Sequence, residues 1–285
     1  MGVAGRDAYS GRQDEIRIEG LEVYAYHGVY PEEKEKGQSF FVNATLYTDT
    51  RAAGLQDDLE LSTDYGAVCR FIHDHMRNHT CDLIEAVAER LCEDILLDFD
   101  YVKEIELEVC KPHAPIGLPF QNVSVRIRRG WHKAYLSVGS NMGDREAYIS
   151  QAIESLTNHD LVRKVECSAL IETKAYGGVE QDDFLNGVIV LETLYDPEEL
   201  LDALHEIEQA AGRERRVHWG PRTLDLDIVF YDKIVYESKR LIIPHVDMQN
   251  REFVLRPLVE MAANYRHPLL GKTVDELLQA LASEG

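Results

Sequence analysis

Two periodicities take turns along the chain. Apolar residues at Ile16, Ile18, Leu21 and Val23, running on to Tyr26, follow the two-residue period of a strand, with Gly20 placed for a bulge or bend. Residues 27–38 are charged and turn-rich and predict a loop, and 39–50 predict a second strand. Val68, Phe71, Ile72 and Met76 then recur at helical spacing over 65–78. Leu83, Val87, Leu91 and Ile95 do the same over 82–98, with Asp82 placed as an N-cap. Residues 102–110 and 121–128 return to alternation. The order ββααββ fits an antiparallel sheet with both helices on one face. The opposite face is left to meet something else, which favours self-association.

Past residues 128–132 the pattern starts afresh, with no Ser/Pro-rich tract at the boundary. Residues 134–138 read as a buried strand, Gly139-Ser140-Asn141 as the turn after it, and Asp144 as the cap of a helix reaching 157. Strands are expected at 162–172 and 187–194, and Pro197 stands where a helix to 211 would open. Strands at 224–231 and 234–236 and helices near 254–262 and 273–282 complete the chain. The β-α-β-β-α-β order suggests a ferredoxin-like core with additions. The expected class is α+β in two domains, 14–129 and 133–285.

Composition narrows the functions. A chain of 285 residues with an apolar fraction of 45% suits two packed cores. A net charge of −21 argues against nucleic acid or an anionic membrane surface as partner. Five cysteines, odd in number and without a C-x-x-C, suit the reducing cytoplasm. No apolar run approaches the ~18 residues of a membrane span. Residues 1–13 are polar, lack the apolar segment of a signal peptide, and read as an extension outside the fold.

Against this acidic background one stretch stands out, GRERRVHWGPRTLDLDI, residues 212–228. Arg213, Arg215, Arg216, His218 and Arg222 form a cationic loop that can neutralise a polyphosphate. In the strand that follows, Asp225 and Asp227 share one face, roughly 6.5–7 Å apart at Cα. Two carboxylates without further protein donors suit Mg²⁺ that keeps waters and shares phosphate oxygens. Phosphoryl transfer needs this combination of positioning and charge. Gly271-Lys272-Thr273 imitates the end of a P-loop, but position 266 is Arg, and no G-x-G-x-x-G follows a strand. Any nucleotide site therefore depends on the arginines and aspartates. His73, His75, His79 and Cys81 have no partner pair at finger-like spacing, and the histidines are expected to be exposed on a helix.

Arg-x-Arg followed by Trp-Gly-Pro-Arg-Thr-Leu-Asp-Leu-Asp-Ile resembles the signature of 6-hydroxymethyl-7,8-dihydropterin pyrophosphokinase. The likeness covers about 133–270 and includes Gly139-Ser140-Asn141, Asp183-Phe184-Leu185-Asn186, Pro244-His245 and Asn250-Arg251. It implies ATP as co-substrate and two Mg²⁺ on Asp225 and Asp227. It also implies Arg213 and Arg222 on the transferring phosphates, and Glu208, Arg215, Trp219, Ile228, His245 and Arg251 on the ATP side. Asn186 would read the pterin edge, Phe184 and Phe253 would sandwich the ring, and Tyr176 would join them. Four features depart from the pattern: a shorter 212–219 loop, His218 before Trp-Gly-Pro, Lys174-Ala175-Tyr176-Gly177 in place of a Pro-Pro-rich loop, and Phe184 in place of a common tyrosine. Residues 174–183, with Gly177-Gly178, look like lid material.

A second resemblance covers about 14–129. Tyr26-His27-Gly28, Glu33 with Gly37-Gln38, Asp64-Tyr65-Gly66, Asp82-Leu83-Ile84-Glu85 and Lys111-Pro112 stand in the order of dihydroneopterin aldolase. The likeness implies a tunnelling fold (T-fold) whose subunits join as a tetramer or octamer, with the pterin site between subunits. It implies no cofactor and no Schiff base. Lys111 would be the catalytic lysine, Tyr65 the tyrosine crossing the subunit boundary, and Glu33 the loop glutamate. Glu85 would anchor the pterin, with Ile84 and Thr63 beside it. Together the two likenesses imply consecutive steps of folate biosynthesis: release of glycolaldehyde, then ATP-dependent pyrophosphorylation. Two alternatives stay open for the first region, an oligomerisation scaffold with an inactive site and an added epimerase activity.

Overall fold

The computed structural model describes residues 13–174, 181–212 and 222–284. The chain forms two compact units, Met1–Trp131 and His132–Gly285.

In the first unit, β1 (Asp14–Ala25) pairs with β2 (Gln38–Thr48) after a short helix, α1 (Pro31–Lys36). Helices α2 (Arg51–Gln56), α3 (Tyr65–Asn78) and α4 (Ile84–Asp98) follow, then β3 (Glu104–Cys110) and β4 (Ser124–Gly130). The sheet order is β1-β2-β3-β4, antiparallel throughout. Alternation puts Phe40, Val42, Ala44, Leu46, Ile105, Leu107 and Val109 on one face, where Val68, Ile72, Leu91 and Ile95 of α3 and α4 cover them. The β1 register shifts between Ile18 and Leu21, and Gly20 takes a φ of 65° there. Its N–H donates to Asn43 Oδ1 at 2.8 Å.

Three expectations need correction. The expected loop at 27–38 contains α1, because Pro31 presets the first helical φ and the Glu33 carboxylate accepts from the Tyr30 N–H at 3.1 Å. Asp82 caps nothing: α4 begins at Ile84, and Asp82 instead pairs with Lys34 Nζ at 2.6 Å. His75 is not exposed. Its side chain is buried against Asp94, with Nε2 and Oδ2 2.9 Å apart.

In the second unit, β5 (His132–Ser140) leads into α5 (Arg145–Thr157), whose first turn is capped by Asp144 accepting from Ala147 N at 3.1 Å. Strands β6 (Val162–Cys167), β7 (Ile171–Thr173) and β8 (Phe184–Thr193), helix α6 (Pro197–Ala210) and strand β9 (Asp225–Tyr231) follow. The pair β10 (Tyr236–Glu237) and β11 (Ile242–Ile243) stands in place of the single strand expected at 234–236. Helices α7 (Glu252–Ala262) and α8 (Val274–Glu284) close the unit. The main sheet runs β6-β8-β5-β9 with antiparallel neighbours, which is the ferredoxin-like order. Leu136, Val138, Leu226 and Ile228 pack with Ile149, Leu200 and Leu204 on one face. Tyr135, Val188 and Phe230 pack with Leu255, Leu258 and Leu277 on the other. The P-loop imitation is the start of α8: Thr273 N donates to Glu276 Oε2 at 2.7 Å and Glu276 N to Thr273 Oγ1 at 3.2 Å.

Candidate active sites

Each unit gathers polar groups at one end of its sheet. In the first, β3 ends at Cys110 and delivers Lys111 into the protein, where Nζ lies 2.6 Å from Glu33 Oε1. The lysine side chain is 11% exposed and the glutamate 8%. The His27 carbonyl accepts from Lys111 Nζ at 3.5 Å, and Nζ stands 5.8 Å from the centre of the Phe40 ring. Glu33 also accepts from Gln38 Nε2 at 3.3 Å. Burial works against its charge, but Lys111, the Tyr30 N–H and Gln38 outweigh it and hold the carboxyl below its ordinary range. Gly28 makes the room, because a Cβ there would sit 2.3 Å from the Glu33 carboxylate.

His27 is strapped in place from the far side. Cys81 N donates to its Nδ1 at 3.1 Å, and Gly28 N donates to the Cys81 carbonyl at 3.0 Å. Burial, then the charges of His75 and Lys111, push the imidazole down to about 4. Its Nε2 is buried with no hydrogen-bond partner among the described residues. The Thr63 hydroxyl is likewise buried and unpartnered. Tyr65 opens α3 and is 61% exposed. Glu85 lies exposed in the first turn of α4, next to half-buried Ile84.

In the second unit the central strand β5 carries Gly139, whose register partners are Asn186 on β8 and Asp225 on β9. One glycine thus separates an amide from a carboxylate across two strand spacings, roughly 10 Å. A Cβ on Gly139 would meet Asn186 Oδ1 at 2.6 Å. Asn186 is buried and donates to Thr173 Oγ1 at 2.7 Å, and Phe184 stands two residues before it on β8. Asp227 faces Ser137 in the same register. Burial and then the charge of Asp225 push the Asp227 carboxyl upward, while His245, Arg251 and Arg222 oppose that rise. Arg222 Nη1 donates to Asp225 Oδ2. The edge strand is steadied by Glu208 of α6, buried, whose Oε1 accepts from Leu226 N at 2.8 Å.

His245 N donates to the Val229 carbonyl at 3.0 Å, and burial lowers its imidazole below the ordinary value. Its Nδ1 accepts from Asp247 N at 3.2 Å. Asp247 accepts from Arg251 Nε at 3.0 Å, and the Arg251 guanidinium stands 5.9 Å from the Phe253 ring centre. The Ile228 side chain lies in the core, so a nucleotide would meet only its main chain. Arg213, Arg215, Arg216, His218, Trp219 and Tyr176 lie outside the described residues, as does most of the expected lid.

The two aspartates fit a hard divalent cation. They offer only oxygen donors, and a cation would offset the burial and the repulsion from Asp225 that together raise Asp227. Among the described residues no group of three or more His, Cys, Asp or Glu assembles for a metal. A cation held by two carboxylates suits water or phosphate oxygens in the rest of its shell.

Gln38 and Gly28 meet Glu33 within their own segment, whereas the meeting of His27 and Glu33 with Lys111 depends on bringing distant segments together.

Comparison with known proteins agrees with this division. The family model described as 7,8-dihydro-6-hydroxymethylpterin-pyrophosphokinase (HPPK) matches residues 135–263, and that of dihydroneopterin aldolase matches 16–128. The bifunctional protein FolKE of Lactococcus lactis subsp. cremoris is 46% identical over 130 residues, 46% of this chain and 37% of that protein. The folic acid synthesis protein fol1 of Schizosaccharomyces pombe is 32% identical over 297 residues, 98% of this chain and 38% of that protein. The chain thus spans little more than a third of the length of these two relatives. The 2-amino-4-hydroxy-6-hydroxymethyldihydropteridine pyrophosphokinase of Bacillus subtilis is 44% identical over 128 residues, 45% of this chain and 77% of that protein. The chain belongs to the 7,8-dihydro-6-hydroxymethylpterin-pyrophosphokinase family, and it carries a dihydroneopterin aldolase family domain ahead of that region.

Proposed function

We propose that the chain is a bifunctional enzyme of folate biosynthesis, with the aldolase in residues 14–129 and the pyrophosphokinase in 133–285. The carrying observation is Gly139 with Asn186 on one side and Asp225 on the other, which sets a pterin-reading amide beside a cation-binding carboxylate.

In the second domain, Asn186 offers both a donor and an acceptor to the pterin edge, and Phe184 and Phe253 hold the ring. Asp225 and Asp227 would hold Mg²⁺, which when bound would supply positive charge against the phosphates. Arg222, with Arg213, stabilises the transferring group, and Glu208, Arg215, Trp219, Ile228, His245 and Arg251 form the ATP side. The hydroxymethyl oxygen attacks the β-phosphorus of ATP, the bond from that phosphorus to the α-phosphate bridging oxygen breaks, and AMP leaves while the hydroxyl loses its proton.

In the first domain, Glu85 anchors the pterin, flanked by Ile84 and Thr63. The C1′–C2′ bond of 7,8-dihydroneopterin breaks, the 2′-hydroxyl gives up its proton as glycolaldehyde forms, and the ring takes the electron pair with a proton at N5; N5 then loses that proton as C1′ gains one, which gives the 6-hydroxymethyl group. Lys111, Tyr65 and water carry these protons, and Glu33 keeps Lys111 at its post. The exposed Tyr24, Tyr65 and Leu83 suit burial against further copies of the chain, as a tetramer or octamer. The five cysteines, none in a disulfide, suit the cytoplasm.

Glycolaldehyde release from 7,8-dihydroneopterin by the whole chain and its Lys111→Ala variant tests the first activity. Release by the parent and not the variant is expected. No release by either would leave the first domain a scaffold.

A further inference from the structure

Asn141 joins three segments that the second site must hold together. It follows β5 directly and is 3% exposed. Its main-chain N–H donates to the Arg222 carbonyl at 3.1 Å, and its Oδ1 accepts from Arg222 N at 2.8 Å. Its Nδ2 donates to Gln181 Oε1 at 3.2 Å and to the Asp182 carbonyl at 3.1 Å. Both ends of the amide are therefore used.

An asparagine that merely closed a turn would bond main chain two residues on. Here the partners lie 40, 41 and 81 residues away. The regular β5–β9 pairing ends at Gly139 and Asp225, so the exchange with Arg222 continues that pairing beyond the ladder. On one side of the amide stands the guanidinium that meets Asp225. On the other, residues 181–182 run into β8, two and four residues ahead of Phe184 and Asn186.

We propose that Asn141 is a positioning residue for pyrophosphoryl transfer, its amide fixing the segment that presents Asn186 against the segment that presents Arg222 and Asp225. The role rests on the function proposed above. The geometry makes its two halves separable. Asn141→Asp keeps an acceptor for Arg222 N but turns the donor into a second acceptor, facing two oxygens that need a donor. Asn141→Ala opens both halves.

Hydrogen–deuterium exchange and transfer kinetics on the full chain test this, with unchanged protection of β5 and β9 reporting that the second unit is folded. In Asn141→Asp, exchange at 181–186 should rise while the Arg222 amide stays protected. In Asn141→Ala both should lose protection. Transfer by Asn141→Asp should fall at least about tenfold in kcat, with weaker pterin binding, while affinity for a non-hydrolysable Mg·ATP analogue stays within about twofold. Exchange rising evenly through the second unit, or transfer by Asn141→Asp within about twofold of the parent, would overturn the role. A parent chain that makes no AMP would sink the proposed function, while the exchange pattern would still decide the latch.

Discussion

Lys111 Nζ and Glu33 Oε1 meet 2.6 Å apart, with both side chains almost wholly withdrawn from water. A buried pair of this kind depends on both members, because removing one strands the other's charge. Glu33→Ala should therefore lose stability, by about 3 kcal/mol, along with aldol cleavage. Adding Lys111→Met should restore most of the melting temperature but none of the glycolaldehyde release. Thermal melting of the single and double variants checks this, and a double variant no more stable than the single would contradict it.

Behind that pair, His27 should make the first unit acid-sensitive. Its native imidazole titrates at about 4, against 6.5 for the ordinary group. The unfolded chain thus takes up this proton near pH 6.5, and the native chain only near pH 4. Stability from His27 is complete above pH 6.5 and drains away as pH falls toward 4, by about 3 kcal/mol in all. His75, lowered mainly by burial, adds to the same trend. Denaturant midpoints between pH 7 and pH 4 should fall in the parent and fall less in His27→Gln; equal slopes would contradict the assignment.

Asp225→Asn should remove pyrophosphoryl transfer by at least about a hundredfold, since the cation would lose half its protein carboxylates. Aldol cleavage should be unchanged, because its residues belong to the other unit. A chelator should reproduce the same split in the parent. AMP and glycolaldehyde measured in parallel decide the point, and equal loss of both activities would refute the separation.

Gly139→Ala should drive the Asn186 amide from its place, since the added Cβ would stand 2.6 Å from Oδ1. Pterin affinity should drop by about tenfold or more, near 1.4 kcal/mol. Pterin binding followed by ring fluorescence gives the number, and an unchanged affinity would show that Asn186 does not read the ring.

Parts of this were legible in the sequence because the physics is local. The shared face of Asp225 and Asp227 follows from strand parity alone, and the helical spacing of Val68, Ile72 and Met76 marks the face that α3 buries. Pro31 and Glu33 signal a helix start, but the charge density around them suggested a loop. Asp82 looked like a cap because its pairing with Lys34 is not a property of either neighbourhood. The same holds for His75 with Asp94, Lys111 with Glu33, and Asn141 with Arg222. Each is a meeting of distant segments, fixed by the tertiary fold.

The most direct measurement is mass analysis of the products when the purified chain is given 7,8-dihydroneopterin, ATP and Mg²⁺ together. Glycolaldehyde, AMP and 6-hydroxymethyl-7,8-dihydropterin pyrophosphate in equal amounts are expected. ATP left intact, with no pyrophosphorylated pterin even when 6-hydroxymethyl-7,8-dihydropterin is supplied directly, would contradict the central claim.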